Sequence, residues 1–412
     1  MLESLPKNKL QIRTIVTINF LIQIISRILN GGILLLSAKL LTKSDFADYV
    51  VFQALVIIWS SIGSASLVNI ILSRPTTKND IQLLHYVSAS VLFIFFIVTT
   101  SAILNQFITI YKFSLVYGVF CAVFLSLHAI YTSYLQKNLK YSRLILYSAL
   151  QLILTVVLAV FPVLNTKCRT LEYFIISYTI SYFGVVLFLI FNSKLVFSSL
   201  FSLQKLKEVS LESRWYSFYF GFLIIGAQCD VVITKNVMSD FETAEYAISY
   251  RIFSLCSIAS SAIATTLLPH FSSLNSIDAV NDYLNKYVLK SAPVSFILYL
   301  ISVGLLFLFQ NNLPYLARHQ TAVNIIKVFG LAIMVGVVVN PVVNLYLCAE
   351  KIRYLCFVNL IIVILSIPMK IVSLKCFGTI GLAFAASIST VSLPLFLYII
   401  NKSSVTFKTK TG

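Results

Sequence analysis

Charge is what this sequence has least of. Asp, Glu, Lys and Arg make up 11% of its 412 residues, against about 25% in a soluble domain. Acidic residues are the scarcer sign, 14 against 31 Lys and Arg. Hydrophobic residues reach 59%, above the roughly 45–50% of soluble chains. This shortage of charge excludes an ordinary soluble enzyme, a disordered chain and a nucleic-acid-binding domain. A net charge of +17 on a soluble chain would suggest nucleic acid. On a chain this apolar it reads as the basic cytoplasmic loops of a membrane protein. The seven cysteines show no CxxC or ligand spacing, and Cys168 alone falls in an expected exterior loop, so a disulfide scaffold is not expected. The four histidines are scattered and form no metal motif. The N-terminus has the basic residues and apolar run of a signal peptide. It lacks a small-x-small site at the right distance, so this run reads as an uncleaved span.

What the chain has in abundance is long apolar runs. A spanning helix needs about 20 predominantly apolar residues. Nine charge-free stretches of at least 21 residues qualify: 49–73, 81–111, 113–136, 144–166, 173–193, 252–277, 291–317, 328–349 and 376–401. Three more hold a single charge each: 14–38 with Arg27, 215–234 with Asp230 and 354–374 with Lys370. Runs of this length without alternation are helices and not barrel strands. Twelve spans put both termini on one side. With the termini inside, cytoplasmic segments hold 19 of the basic residues and exterior segments nine, Lys370 and Lys375 among them. That excess places both termini in the cytoplasm.

The longest polar interruption, 194–214, has six spans on each side. The expected organisation is a six-helix lobe over 1–193, a cytoplasmic linker over 194–214 and a second six-helix lobe over 215–412. The lobes carry an internal echo. KLLTKSDFADY (39–49) follows the first span and KNVMSDFETAEY (235–246) follows the seventh, at an offset of about 196. A weaker echo joins YLQKNLKY (134–141) to YLCAEKIRY (346–354). Repeats with an even number of spans keep the same orientation, a type that forms a cleft between two lobes near the midplane. Rocking of the lobes would expose that cleft to each side in turn.

The segment Ala38-Lys39-Leu40-Leu41, with Asp45, Phe46 and Tyr49 after it, resembles the polysaccharide exporters of the MOP superfamily. So does the second-half set Asp230, Ala244, Tyr246, Tyr250, Arg251 and Leu268-Pro269, together with the turn from Gln136-Lys137-Asn138 to Arg143. The resemblance is greatest to the O-antigen flippase (Wzx-type) branch. Ala47-Asp48, and later Glu245, stand where that pattern usually has glycine. The resemblance implies an all-α integral membrane protein of MATE/MOP-like fold in a bacterial inner membrane. It implies a flippase, not an enzyme, moving undecaprenyl-pyrophosphate-linked O-antigen or capsule repeat units from the cytoplasmic to the periplasmic leaflet. It implies no cofactor, coupling to an H+ or Na+ gradient, and a glycan polymerase and chain-length regulator as partners, with no nucleic acid. The twelve-span count favours this branch over the peptidoglycan-precursor flippase, which usually carries further helices.

Charges inside a membrane usually face a cavity and serve a function. Arg27, followed by Asn30, Gly31 and Gly32, is expected to bind the carrier's pyrophosphate bidentately, as planar Arg can and Lys cannot; the bland reading is a structural ion pair. Arg251 is either a second anion contact or a rim residue. Asp230 is either the ion-coupling carboxylate or the counter-ion of Arg27 or Arg251. Lys327 is either a positive lining residue or an interfacial lysine. Asn30 and Gln228 are candidates for sugar hydroxyls, although amides also join membrane helices. His128 is either a packed helix residue or a proton relay. Two other classes compete. A multidrug or metabolite antiporter would favour acidic cavity residues, and only Asp230 lies within a span. A membrane glycan polymerase would need a large exterior loop or clustered carboxylates, which the sequence does not offer.

Overall fold

A computed structural model describes residues 25, 29, 31–73, 80–107, 115–137, 141–192, 203–251, 253, 286–288, 290–297, 299–301, 303–304, 320–348 and 351–402. These residues are almost entirely helical. In chain order the elements are α1 (Gly31–Leu40), α2 (Lys43–Ser73), α3 (Asp80–Phe107), α4 (Leu115–Lys137), α5 (Tyr141–Leu164), α6 (Leu171–Asn192) and α7 (Leu203–Val237). Then come α8 (240–251), α9 (290–297), α10 (Gln320–Val339), α11 (Pro341–Cys348) and a final helical stretch, Ile352–Lys402. Among the described residues, six helices are long and apolar enough to cross a membrane. Large apolar side chains such as Phe96, Leu164 and Leu365 point outward, a pattern that suits hydrocarbon as the surrounding solvent. The chain is therefore a multi-pass membrane protein.

The chain divides into two compact units, Met1–Ser217 and Phe218–Gly412. The division falls inside α7, so the segment expected as a linker is helical from Leu203 onward. In the first unit α4 is central and packs against α2, α3, α5 and α6. Small residues allow this approach: Cys121 and Ala122 of α4 and Ser60 and Ser64 of α2 are buried, and Ser126 Oγ donates to Ser60 O across the α2–α4 contact at 2.9 Å. Trp59 Nε1 donates to Ser101 Oγ at 3.0 Å and ties α2 to α3.

The same N-terminal cap opens α2 and α8. Thr42 Oγ1 donates to Asp45 Oδ2 at 2.8 Å and accepts from Asp45 N at 3.2 Å. Ser239 N donates to Glu242 Oε2 at 3.1 Å, and Glu242 N donates back to Ser239 Oγ at 3.3 Å. Each cap satisfies amides that the first helical turn leaves unpaired. Thr42 and Ser239 are 197 positions apart, as are Asp45 and Glu242. The same spacing relates the helix ends that precede them, where Leu41 N donates to Ser37 O and Met238 N to Thr234 O. It also pairs Tyr49 with Tyr246, both fully buried. The sequence echo is thus a structural repeat, with a register of 197 in place of the 196 read between the starts of the two segments, Lys39 and Lys235.

Two prolines remove helical hydrogen bonds, and a tyrosine repairs each. Pro162 has no N–H for Leu158 O, and Tyr173 Oη donates to that carbonyl at 3.0 Å. Pro341 likewise frees Val337 O, and Tyr287 Oη donates to it at 2.9 Å. Arg169 covers the end of α5, its Nε donating to Pro162 O at 3.0 Å, which satisfies a terminal carbonyl.

The final stretch, Ile352–Lys402, is broken at Gly378, where φ is 64° and ψ is −157°. That region is essentially open to glycine alone. The break divides the stretch into α12 (352–377) and α13 (379–402), close to the boundary expected between the last two spans.

Two measurements follow from these joints. Gly378→Ala is expected to destabilise the protein by on the order of 1–3 kcal/mol, read by thermal unfolding in detergent. Tyr173→Phe removes only a hydroxyl, yet leaves Leu158 O without its donor. It should cost about 1–3 kcal/mol in the same assay.

Candidate functional site

The second unit places an acid, a base and a phenol together inside its helices. Asp230 on α7 is 1% exposed and Lys370 on α12 is 1% exposed. Lys370 Nζ lies 2.7 Å from Asp230 Oδ1 and donates to Gly226 O as well. Tyr246 Oη, from α8, donates to Asp230 Oδ2 at 3.0 Å. Cys229 Sγ completes the cluster, 3.5 Å from Asp230 Oδ1 and 3.9 Å from Lys370 Nζ. Both carboxylate oxygens are therefore occupied.

Local packing explains how the pair meets. Gly226 sits one turn before Asp230, and a Cβ there would lie 3.2 Å from Val363 Cγ2. The missing side chain lets α7 and α12 approach, which brings the Gly226 carbonyl within reach of Lys370. Thr234 Oγ1 donates to Asp230 O at 2.7 Å and anchors the next turn of α7. Asn359 Nδ2 donates to Tyr219 O at 3.1 Å, a second polar tie between the same two helices. Tyr246 is held by Phe329 of α10, whose ring is 5.9 Å away at 65°.

Beside the pair is a cavity of about 500 Å³. Its walls come from α7, α8, α10, α11, α12 and α13 and are mostly apolar, with Phe220, Leu223, Phe253, Phe329 and Leu393 among them. Its polar lining is Asp230, Tyr219, Tyr250, Asn340, Asn359, Ser366, Ser389 and Thr390. Among the described residues of the lining, Asp230 is the one that carries charge, and Lys370 pairs with it. Asn340 marks the break between α10 and α11, where Asn340 N donates to Gly336 O and Val343 N to Asn340 O. This cavity offers a ligand apolar contact and neutral hydrogen-bonding groups.

The residues singled out in the sequence are dispersed. Arg27 and Asn30 lie outside the described residues. Asp230 lines the cavity, while Gln228, Arg251 and Lys327 do not. Gln228 is half-buried on α7, Arg251 is half-buried directly after Tyr250, and Lys327 is exposed on α10. The counter-ion of Asp230 is Lys370, whereas the sequence reading offered Arg27 or Arg251. Lys370, counted there with the exterior segments, is buried inside the unit. The signal that could have found it was present: a lone lysine within an apolar run of 354–374. Glu245, also missed, is 2% exposed on α8 and is the repeat partner of Asp48. Among the described residues, no three His, Cys, Asp or Glu side chains come together to hold a metal ion.

Removing one member of a buried pair leaves the other charged and unpaired. Lys370→Met is therefore expected to destabilise the protein by about 3–5 kcal/mol. Adding Asp230→Asn to Lys370→Met should recover most of that loss. Thermal unfolding of both variants in detergent checks the coupling, and equal losses in the single and double variants would break it.

No protein-family model matches the sequence, and no curated protein sequence matches it either. Solved structures do match. The lipid II flippase MurJ, in an inward closed conformation, is similar with a TM-score of 0.67 and 17% identity, over 93% of this chain and 87% of that one. A multidrug resistance MATE family transporter of the MOP superfamily, inward-facing, has a TM-score of 0.62 and 11% identity, over 92% and 93% of the two chains. A eukaryotic MATE transporter has a TM-score of 0.62 and 11% identity, over 97% of each chain. The chain therefore has the all-helical fold that MATE transporters share with the MurJ flippase.

Proposed function

We propose that this protein is a flippase for undecaprenyl-pyrophosphate-linked O-antigen or capsule repeat units. It moves them from the cytoplasmic to the periplasmic leaflet of a bacterial inner membrane by alternating access. The observation that carries this reading is the neutralised Asp230. In a fold shared by drug transporters and a lipid-linked precursor flippase, the described residues lining the cavity of the second unit present no unpaired carboxylate to a cationic drug. Its apolar walls and neutral hydroxyl and amide groups suit an amphiphile whose negative charge is bound elsewhere.

In this reading Arg27 takes the pyrophosphate through its planar guanidinium, with Asn30 beside it. Arg251 and Lys327 supply further positive charge along the path, and Gln228 offers an amide to sugar hydroxyls. Asp230 serves as the counter-ion of Lys370, so its carboxylate is not the group that drives transport. The protein makes and breaks no covalent bond in its substrate. A glycan polymerase and a chain-length regulator act on what it delivers.

A multidrug antiporter is the second reading, favoured by the MATE structures that share this fold over nearly the whole chain. The two separate in a strain lacking the protein. The flippase reading expects one undecaprenyl-pyrophosphate-linked repeat unit to accumulate in the lipid extract, seen by mass spectrometry, with loss of surface polymer. Arg27→Ala should reproduce that loss while the protein still inserts. Unchanged lipids with altered sensitivity to cationic drugs would overturn the flippase in favour of the antiporter.

A further inference from the structure

His128 stands near the centre of the first unit, on α4, the helix that all its long neighbours touch. Its ring is stacked on Tyr147 of α5, with centroids 5.2 Å apart and planes at 15°. Tyr182 of α6 meets it edge-on at 5.8 Å and 71°. Its Nδ1 is sealed from solvent and has no hydrogen-bond partner. Buried polar atoms are nearly always paired, and each exception calls for an explanation. Ionisable groups inside a membrane are functional candidates by default, and histidine is the side chain that ordinarily changes charge between about pH 5 and pH 8.

The surroundings separate this group from Asp230. Asp230 has a lysine, a phenol and a thiol on its oxygens. The titratable groups facing His128 are Tyr147 from α5 and Tyr182 from α6, and Tyr131 of α4 packs on Tyr147, with centroids 5.6 Å apart. Among the described residues, α2 and α3 bring no carboxylate or cation to it. A neutral imidazole therefore rests among rings that carry no charge. An imidazolium there would have the stacked face of Tyr147 as its aromatic partner and, among the described residues, no counter-ion. A charge without a paired ion in such a place is costly. Protonation thus favours any arrangement that separates the three helices and admits water to the ring.

We infer that His128 is a proton-binding site of the first unit, and that taking up a proton loosens the packing of α4 against α5 and α6. The site belongs to the first unit, and the inference does not depend on which substrate the protein carries.

Hydrogen–deuterium exchange in lipid nanodiscs, corrected for the intrinsic pH dependence of amide exchange, tests this without any substrate. On acidification from about pH 8 to about pH 5, segments of α4, α5 and α6 around His128, Tyr147 and Tyr182 should lose protection in the wild-type chain. In His128→Phe, which keeps a ring between the tyrosines, that pH-dependent loss should vanish. His128→Gln, polar but without a titrating group, should behave as the phenylalanine variant does. Circular dichroism confirms that each variant is folded. Wild-type protection that does not change with pH would overturn the inference, and so would an equal loss in His128→Phe.

Discussion

An ion pair buried in a membrane protein is tolerable only when every oxygen and nitrogen in it is satisfied, and the Asp230–Lys370 pair meets that demand. Lysine, tyrosine and cysteine cover both carboxylate oxygens, and the Gly226 carbonyl takes a second lysine proton. The demand is the same one that shapes the rest of the chain, since hydrocarbon offers no hydrogen bonds to a stray polar group. It accounts for the tyrosine hydroxyls set on the carbonyls that Pro162 and Pro341 leave free. It accounts for the paired caps at Thr42 and Ser239, and for the serine and threonine hydroxyls turned back onto their own helices. Large apolar side chains serve both sides, Trp59, Phe52 and Phe329 in the interior and Phe96, Leu164 and Leu365 outward.

The repeat shows where the two units part company. At a register of 197, caps, helix ends and the buried tyrosines Tyr49 and Tyr246 correspond. The position matching Asp230 is Ile33, a residue with no charge to place. The second unit has thus spent its repeat position on a neutralised pair beside a cavity. Among the described residues, the first unit buries a histidine, His128, on a different helix and with no carboxylate beside it. One architecture holds an ion pair in one unit and an imidazole packed between tyrosines in the other.

Much of this was legible in the sequence. Charge-free runs located the apolar helices, and the loop echo pointed to the repeat. The register was misjudged because the segments that start at Lys39 and Lys235 look alike, whereas the side chains that cap the helices are Thr42 with Asp45 and Ser239 with Glu242. A lone charge in an apolar run also announced that something was special at Asp230. Its partner was not legible: Lys370 lies 140 positions away, and position along the chain says nothing of which helix packs on which. Counting lysines by side placed it in a loop because the count registers charge and not burial. The unpaired nitrogen of His128 was hidden for the same reason, since ring contacts from α5 and α6 decide it. Arg27 and Asn30 lie outside the described residues, and their roles rest on the sequence alone.

The proposed flippase handles an amphiphile whose negative charge is met by arginine and whose uncharged parts meet neutral walls. The central claim is the sidedness of that movement. It is tested most directly in spheroplasts exposed to membrane-impermeant periodate, which oxidises sugar diols on the outer face only, with and without the protein. The account predicts that lipid-linked repeat units are oxidised when the protein is present and protected when it is absent. Equal oxidation in both would mean that the units reach the outer leaflet without it, and would contradict the account.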